Sequence, residues 1–454
     1  MRLAIHGIIS AVALAIGGCA DLRDTATLHG RADTLLERLH EAGDFSGAVI
    51  ISRDGVVVYE GAFGAADRTR PFTLDTAADG ASLAKTVTAA LIWHLIDEGR
   101  IALDDPVQAH VAEFPYADVT IEHLLSHTSG APDYDPFQPL PEADAATGNV
   151  ALPAFMRRLS SRPLRQPGAT FSYCNACYDT LALLTERVSG DSYQEQIGRL
   201  LGGIGAGDAF VRPARFADWP QPRTLGFRSS LPGADEFDVY DNEAIYGGSN
   251  IYFTARDLHA WASAWVDGRV HPEGVLNNAL APARVGDDVS ALNLSSWYCA
   301  PDRARCYYTG HHQAFFNLVY WDSSQRISVV FVSNNTMAPP LQPWLMRSLV
   351  AIAEGRAAEP RPLAPPEERE VDVEALVGRY RLPGIGDVEI GIDEAGPTIQ
   401  TAQGPRYQLY QVGYGVLYTP GADAYLSFRP GENGSPPTLI WMSVFAVAEG
   451  RRLA

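Results

Sequence analysis

The sequence predicts a mixed α/β (α+β) fold: an antiparallel sheet flanked by helices and interrupted by an inserted helical region, followed by a small all-β domain. Three observations predict it. Strand-like runs stand at both ends of the first 355 residues and enclose a helical middle, one long apolar helix pattern begins near residue 82, and a proline-rich stretch at 357–370 precedes alternating apolar and polar residues with little helical periodicity. At 454 residues the chain is too long for a single core.

The elements follow in order. Residues 1–18 read as a secretory signal: Met1-Arg2, an apolar stretch at 8–16, then Ile16-Gly17-Gly18-Cys19. That stretch is too short to cross a bilayer as a helix. Cys19 after two glycines resembles the bacterial lipobox, which implies acylation of Cys19, with 19–30 as anchor and linker. Ala20, standing where an aspartate is absent, implies by the same resemblance the outer membrane, facing the periplasm. An ordinary signal cut near Cys19 is the alternative.

Ser46-Gly47-Ala48-Val49-Ile50-Ile51 and Val56-Val57-Val58-Tyr59 flank Arg53-Asp54-Gly55, and Asp-Gly between apolar runs signals a hairpin. Residues 82–98 form a helix stopped by Gly99. Leu83, Val87, Leu91 and Leu95 make one stripe, which Ala90, Ile92, Trp93 and Ile96 widen until the helix is buried on most sides. Helical patches at 121–126, 178–189 and 254–265 lie among proline- and glycine-rich loops. Strands at 315–321 and 327–332 flank the turn Asp322-Ser323-Ser324-Gln325, and a helix at 341–353 closes the unit. The expected organisation is a first domain at 31–355, a linker at 356–372 and a separate β domain at 373–454, a barrel or a strongly curved sheet.

Composition excludes several functions. With 46% hydrophobic and 20% charged residues the chain is an ordinary globular protein. A net charge of −19 repels nucleic acid and anionic lipid heads, so a membrane link has to come from the lipid on Cys19. Cys174, Cys177, Cys299 and Cys306 sit in an exported, oxidising setting. Cys299 and Cys306 flank a turn-rich loop and are the preferred pair, whereas Cys174 and Cys177, lacking a thioredoxin-like context, read as a disulfide or two packed thiols. No spaced set of His, Cys and carboxylates recurs, so neither a metal nor a cofactor is expected.

The chemistry begins at Lys85. Of the 35 lysines and arginines it alone is a lysine, and it stands three residues after Ser82. An amine can lose its proton near neutral pH where a guanidinium cannot, provided that burial or a neighbouring cation disfavours its charge. Positions i and i+3 share a helix face, so the pair reads as a serine nucleophile beside its general base. A helix N-terminus adds free N–H groups and a positive dipole end for a developing oxyanion. Tyr173 and Asn175 are the next candidates, a phenol that relays protons and an amide that orients the lysine or holds a carbonyl.

Taken together, these segments resemble the β-lactamase-related serine hydrolases, the superfamily of class C β-lactamases, D-alanyl-D-alanine carboxypeptidases, D-aminopeptidases and β-lactamase-like esterases. The resemblance rests on Phe45-Ser46-Gly47 with Arg53-Asp54-Gly55, Ala81-Ser82-Leu83-Ala84-Lys85, Leu103-Asp104-Asp105-Pro106, the run from Ile121 through His127 to Gly130, Phe171-Ser172-Tyr173-Cys174-Asn175, and Gly247-Gly248 with Thr254-Ala255-Arg256-Asp257-Leu258. It covers about residues 30–355 and implies a serine β-lactamase/transpeptidase-like fold. It also implies Ser82 as acylated nucleophile, Lys85 as base, Tyr173 as proton relay and deacylation base, and Asn175 as orienting group. His127 reads as a hydrogen-bonded scaffold residue.

The family's third motif, Lys-Thr-Gly or His-x-Gly, falls at Tyr308-Thr309-Gly310, with Gly310-His311 as the other register. In the first register the His311 N–H joins that of Ser82 in an oxyanion hole. Tyr308 then stands where a lysine normally binds the carboxylate of a β-lactam or a D-alanyl terminus, and the chain has no second lysine. Tyr308, His311 and His312 suit a neutral acyl substrate or one with an amine, though the histidines read equally well as plain strand residues. The expectation is therefore a small-molecule or peptide ester or amide substrate, with an esterase or peptidase favoured over a β-lactamase or carboxypeptidase. A non-catalytic envelope protein binding peptidoglycan fragments is the reading from another class. The oligomeric state is open.

Overall fold

The computed structural model describes residues 22–134, 148–213, 218–222, 224–237, 245–362, 370–402, 404–431 and 436–453. The expected signal and Cys19 lie outside them. Among the described residues no helix is long and apolar enough to cross a membrane.

Helix α1 (Leu22–Glu41) takes in most of the 19–30 stretch expected as anchor and linker. Leu28, Ala32, Leu36 and Leu39 recur at helical spacing and are all buried, so this face is covered from Leu28 to Leu39. Strands β1 (Gly47–Arg53) and β2 (Val56–Phe63) form the expected hairpin. Its turn places both Asp54 and Gly55 at positive φ, the geometry that Asp-Gly favours.

Three short strands, β3 (Ala78–Asp79), β4 (Phe210–Val211) and β5 (Ile251–Phe253), make a small sheet in the order β3-β5-β4. After them in space come β6 (Pro282–Val285), β7 (Asp288–Asn293), β8 (Tyr298–Cys299), β9 (Arg305–His312), β10 (Phe315–Asp322) and β11 (Ile327–Ser333). The main sheet runs β2-β1-β11-β10-β9-β8-β7-β6, antiparallel throughout, so the first hairpin pairs with the last strand and the helical region is inserted between them.

Helix α2 (Ala84–Asp97) runs between two cores. Ala84, Val87, Ala90 and Leu91 join the cluster under the sheet, whereas Ala89, Ile92, Trp93 and Leu95 join a second cluster in the helical region. That second cluster also takes residues from α3 (Ile121–Leu125), α4 (Leu152–Leu159) and α5 (Asn175–Ser189). Helices α6 (Tyr193–Gly203), α7 (Ala255–Val266), α8 (Glu273–Ala279) and α9 (Leu341–Ala353) complete this part. α5 begins at Asn175, three residues earlier than expected, because Asp133 and the Cys174 sulfur accept its first N–H groups.

The C-terminal part is a nine-stranded antiparallel sheet built from β12 (Gly378–Leu382), β13 (Gly386–Asp393), β14 (Gly396–Thr401), β15 (Arg406–Gln408), β16 (Tyr410–Gln411), β17 (Val416–Thr419), β18 (Ala424–Arg429), β19 (Thr438–Met442) and β20 (Val447–Arg452). Its order is β15-β14-β13-β12-β20-β19-β18-β17-β16. The two edges are β15 and β16, which Leu409 alone separates in sequence, so the sheet curls until its edges meet. It is not a detached unit. Tyr380, Leu417, Leu426 and Leu439 share one hydrophobic cluster with the main sheet, Tyr407 packs edge-on against Phe171 at 5.3 Å, and the Tyr298 hydroxyl donates to the Pro420 carbonyl.

Disulfides join Cys299 to Cys306, directly opposite each other on β8 and β9, and Cys174 to Cys177 at the head of α5.

Candidate active site

Ser82 lies in a single 3-10 turn (Ala81–Leu83) that leads into α2, so it precedes the α-helix proper. The turn is tightly held. Gly80 donates its N–H to Ile251 O on β5, and Ala81 takes a φ of 47°, a left-handed conformation that costs an alanine about 1 kcal/mol. Strand β9 approaches the turn so closely that a β-carbon on Gly310 would lie 2.0 Å from Gly80 O. Only glycine fits there.

Lys85, one turn on, is fully buried. Its Nζ donates to Ser82 Oγ at 3.3 Å, to Asn175 Oδ1 at 2.8 Å and to Gly248 O at 2.7 Å, and stands 4.9 Å from the centre of the Tyr173 ring. The Gly247-Gly248 pair is needed for this approach, since a β-carbon on Gly247 would come within 2.5 Å of Tyr178 O. The Tyr173 hydroxyl donates to Ser82 Oγ at 2.9 Å and lies 3.2 Å from the Tyr308 hydroxyl. The structure thus brings Ser82, Lys85, Tyr173, Asn175 and Tyr308 into one hydrogen-bonded group.

His127 is buried, with Nδ1 accepting the Cys174 N–H at 3.1 Å and its ring stacked on Tyr173 at 4.5 Å. Burial, reinforced by the Lys85 charge, holds its pKa well below the usual imidazole range, so the ring is neutral and carries Tyr173 as a scaffold. On β9, Thr309 is half-buried and the exposed His311 ring leans on Phe316 at 5.8 Å. His312 departs from the expectation that both imidazoles face the substrate, because its Nδ1 is 3.0 Å from the Asp79 carboxylate.

Three carboxylates escaped the sequence reading. Asp133 accepts the N–H groups of Asn175 at 2.7 Å and Ala176 at 2.8 Å; burial raises its pKa against those bonds. Asp179 accepts the Gly248 N–H at 2.7 Å and the Tyr134 hydroxyl at 2.8 Å, and burial pushes its carboxyl up to about 7. Each protein partner that anchors Lys85 from beyond its own turn is therefore held from behind by a carboxylate: Asn175 by Asp133, Gly248 by Asp179. The third is Asp79. A readable signal existed for Asp179 alone, as a lone acid inside the apolar run 176–184 and four residues after Asn175, on the same helix face.

The family description "Beta-lactamase" matches residues 32–344. The chain belongs to the β-lactamase family of serine hydrolases. It is similar along 88% of its length to a penicillin-binding protein of Bacillus subtilis, at 24% identity and 96% coverage of that protein. Over 43% of the chain it is 33% identical to esterase EstB of Burkholderia gladioli, covering 55% of it. Over 54% of the chain it is 36% identical to the D-aminopeptidase of Brucella anthropi, covering 47% of it. Penicillin binding, ester cleavage and aminopeptidase action thus all occur among its relatives.

Proposed function

We propose that this protein cleaves an ester or amide through an acyl-enzyme on Ser82, and that its substrate is an ester or peptide-type amide rather than a β-lactam. The observation that carries the mechanism is the position of Ser82 Oγ within hydrogen-bond reach of both Lys85 Nζ and the Tyr173 hydroxyl. In acylation, Lys85 Nζ takes the Ser82 proton as Oγ attacks the carbonyl carbon. The backbone N–H groups of Ser82 and His311 receive the oxyanion. Tyr173 passes a proton to the leaving alcohol or amine, and the carbon–heteroatom bond breaks. In deacylation, Tyr173 regains its proton from water, hydroxide adds to the acyl carbon, and Ser82 leaves taking back the proton held by Lys85. Asn175 keeps Lys85 aimed throughout.

Support for the substrate class comes from Tyr308. Its hydroxyl occupies the place beside Tyr173 where a carboxylate-binding cation is needed for β-lactams, and burial, then the neighbouring Tyr173, hold its pKa well above the ordinary phenol value, so it stays a neutral hydrogen-bonding group. Purified protein is expected to turn over short-chain p-nitrophenyl esters or D-amino-acid p-nitroanilides, with Ser82→Ala inactive. Faster hydrolysis of a chromogenic cephalosporin than of any ester or amide would replace this reading with a β-lactamase. Failure of Ser82 to react with a fluorophosphonate would favour a binding protein. We further propose export and lipid anchoring at Cys19, which radiolabelled palmitate tests: incorporation has to vanish in Cys19→Ala.

A further inference from the structure

We propose that Asp79, clamped by His312, is a positioning residue for the nucleophile, tying the strained turn before Ser82 to the strand that faces it. The proposal rests on the acyl-transfer reading above. Four observations support it. Asp79 is the last residue of β3 and its side chain is 2% exposed, so substrate does not reach it. One carboxylate oxygen accepts the Ala81 N–H at 2.8 Å, and the other faces His312 Nδ1 at 3.0 Å. Its backbone carbonyl accepts Asn317 Nδ2 at 2.8 Å, and Asn317 lies opposite Gly310 in the β9–β10 pair. Asp79 therefore touches the turn, β9 and β10 at the level where Gly310 meets Gly80.

The physical need is clear at Ala81. Its left-handed conformation persists only if the surroundings hold it, and an ionised acceptor on its own N–H is the strongest local constraint available. A buried carboxylate in turn needs a counter-charge. His312 Nδ1 meets it by direct contact at 3.0 Å, and the Arg212 charge acts on it from β4's end. Burial alone raises the Asp79 pKa, but the His312 bond and charge, the Ala81 N–H and Arg212 outweigh it, so the net shift is downward and the group stays ionised. Removing the carboxylate leaves the Ala81 N–H buried without an acceptor and lets the turn relax toward ordinary φ, which rotates Ser82 away from Lys85 and Tyr173. The displaced group is the nucleophile itself, so the loss falls mainly on kcat.

The test is p-nitrophenyl butyrate hydrolysis by full-length protein carrying Ser82→Ala, Asp79→Ala, Asp79→Asn, His312→Ala or Asp79→Asn with His312→Ala, with near-UV circular dichroism and Tm as fold checks. Asp79→Ala is expected to lower kcat about 100-fold with KM within about 3-fold. Asp79→Asn, which keeps an acceptor for Ala81, is expected to recover at least about 10-fold of that loss. His312→Ala is expected to add nothing to Asp79→Asn. The proposal is overturned if folded Asp79→Ala keeps wild-type kcat while Ser82→Ala is dead, or if the His312 and Asp79→Asn losses multiply. Activity retained in Ser82→Ala would instead sink the acyl-transfer reading itself. Should Asp79→Ala not fold, the Asp79→Asn and His312→Ala pair decides alone: non-multiplying losses in kcat support the proposal, and multiplying losses overturn it.

Discussion

The two walls that meet at Ser82 are built differently. On the helical wall Lys85 is fully buried, and its two outer anchors, Asn175 and Gly248, are each backed by a carboxylate, part-buried at Asp133 and fully buried at Asp179. On the strand wall, the contacts are one hydroxyl pair between Tyr308 and Tyr173, a His312 contact to the Asp79 carboxylate, an Asn317 bond to the Asp79 carbonyl, and a backbone approach at Gly310. The first wall is a closed polar network, in which every buried donor needs its acceptor, so loss of one member exposes the next. The second depends on shape, with polar contacts at three points. The difference teaches that proton handling tolerates little change in this protein, whereas the strand side can vary its side chains and with them the substrate.

Four predictions test that contrast, the largest first. Lys85→Arg keeps a basic side chain but removes a group able to release its proton, and is expected to lower kcat/KM by at least about 10³-fold with the fold intact. Retained turnover in this variant would take the general-base role away from the helical wall. Asp133→Ala is expected to cost about 50-fold in kcat, since two α5 N–H groups lose their acceptor and Asn175 shifts, while Tyr308→Phe costs about 5-fold. Equal losses at these two positions would erase the distinction between the walls.

The disulfides separate in the same way. Replacing Cys174 and Cys177 by alanine loosens the first turn of α5, which carries Asn175, and is expected to lower kcat about 10-fold. Replacing Cys299 and Cys306, which close a hairpin away from Ser82, is expected to leave kcat unchanged and cost about 2 kcal/mol of stability, read as a lower Tm.

The smallest effect is a pH dependence. Asp179 titrates at its ordinary 3.8 when unfolded and at about 7 when folded. Between those values the folded chain holds a proton that the unfolded chain has released, so this residue's contribution falls as pH rises through the window. Asp179→Asn is expected to flatten the decline of Tm from pH 3.8 to about 7 relative to wild type. An unchanged slope removes Asp179 as its source.

Much of this was legible in the sequence where the cause is local. The Asp54-Gly55 turn, the buried helix before Gly99 and the Ser82–Lys85 spacing all depend on neighbours within a few residues. Tyr173 and Asn175 could be placed only through family resemblance, because nothing around them marks a site. The partners of the carboxylates were illegible for a physical reason. Asp133 acts on a residue 42 positions away, Asp179 on one 69 away, and Asp79 on one 233 away. The start of α5 was misplaced for the same cause, since its cap comes from Asp133 rather than from a preceding serine or aspartate. The β3-β5-β4 sheet has strands of two or three residues, too short to show a period of two. Helix α1 went unread altogether, and in its first half Leu28 is the only large apolar residue between Leu22 and Leu35.

The solitude of Lys85 makes the protein its own spectroscopic instrument. Grown on lysine enriched in 15N at the side-chain nitrogen, the whole chain carries a single labelled ε-amine, and its resonance belongs to Lys85 without assignment. One titration of that line would follow the protonation of this amine, free and acylated, with no background from any other residue.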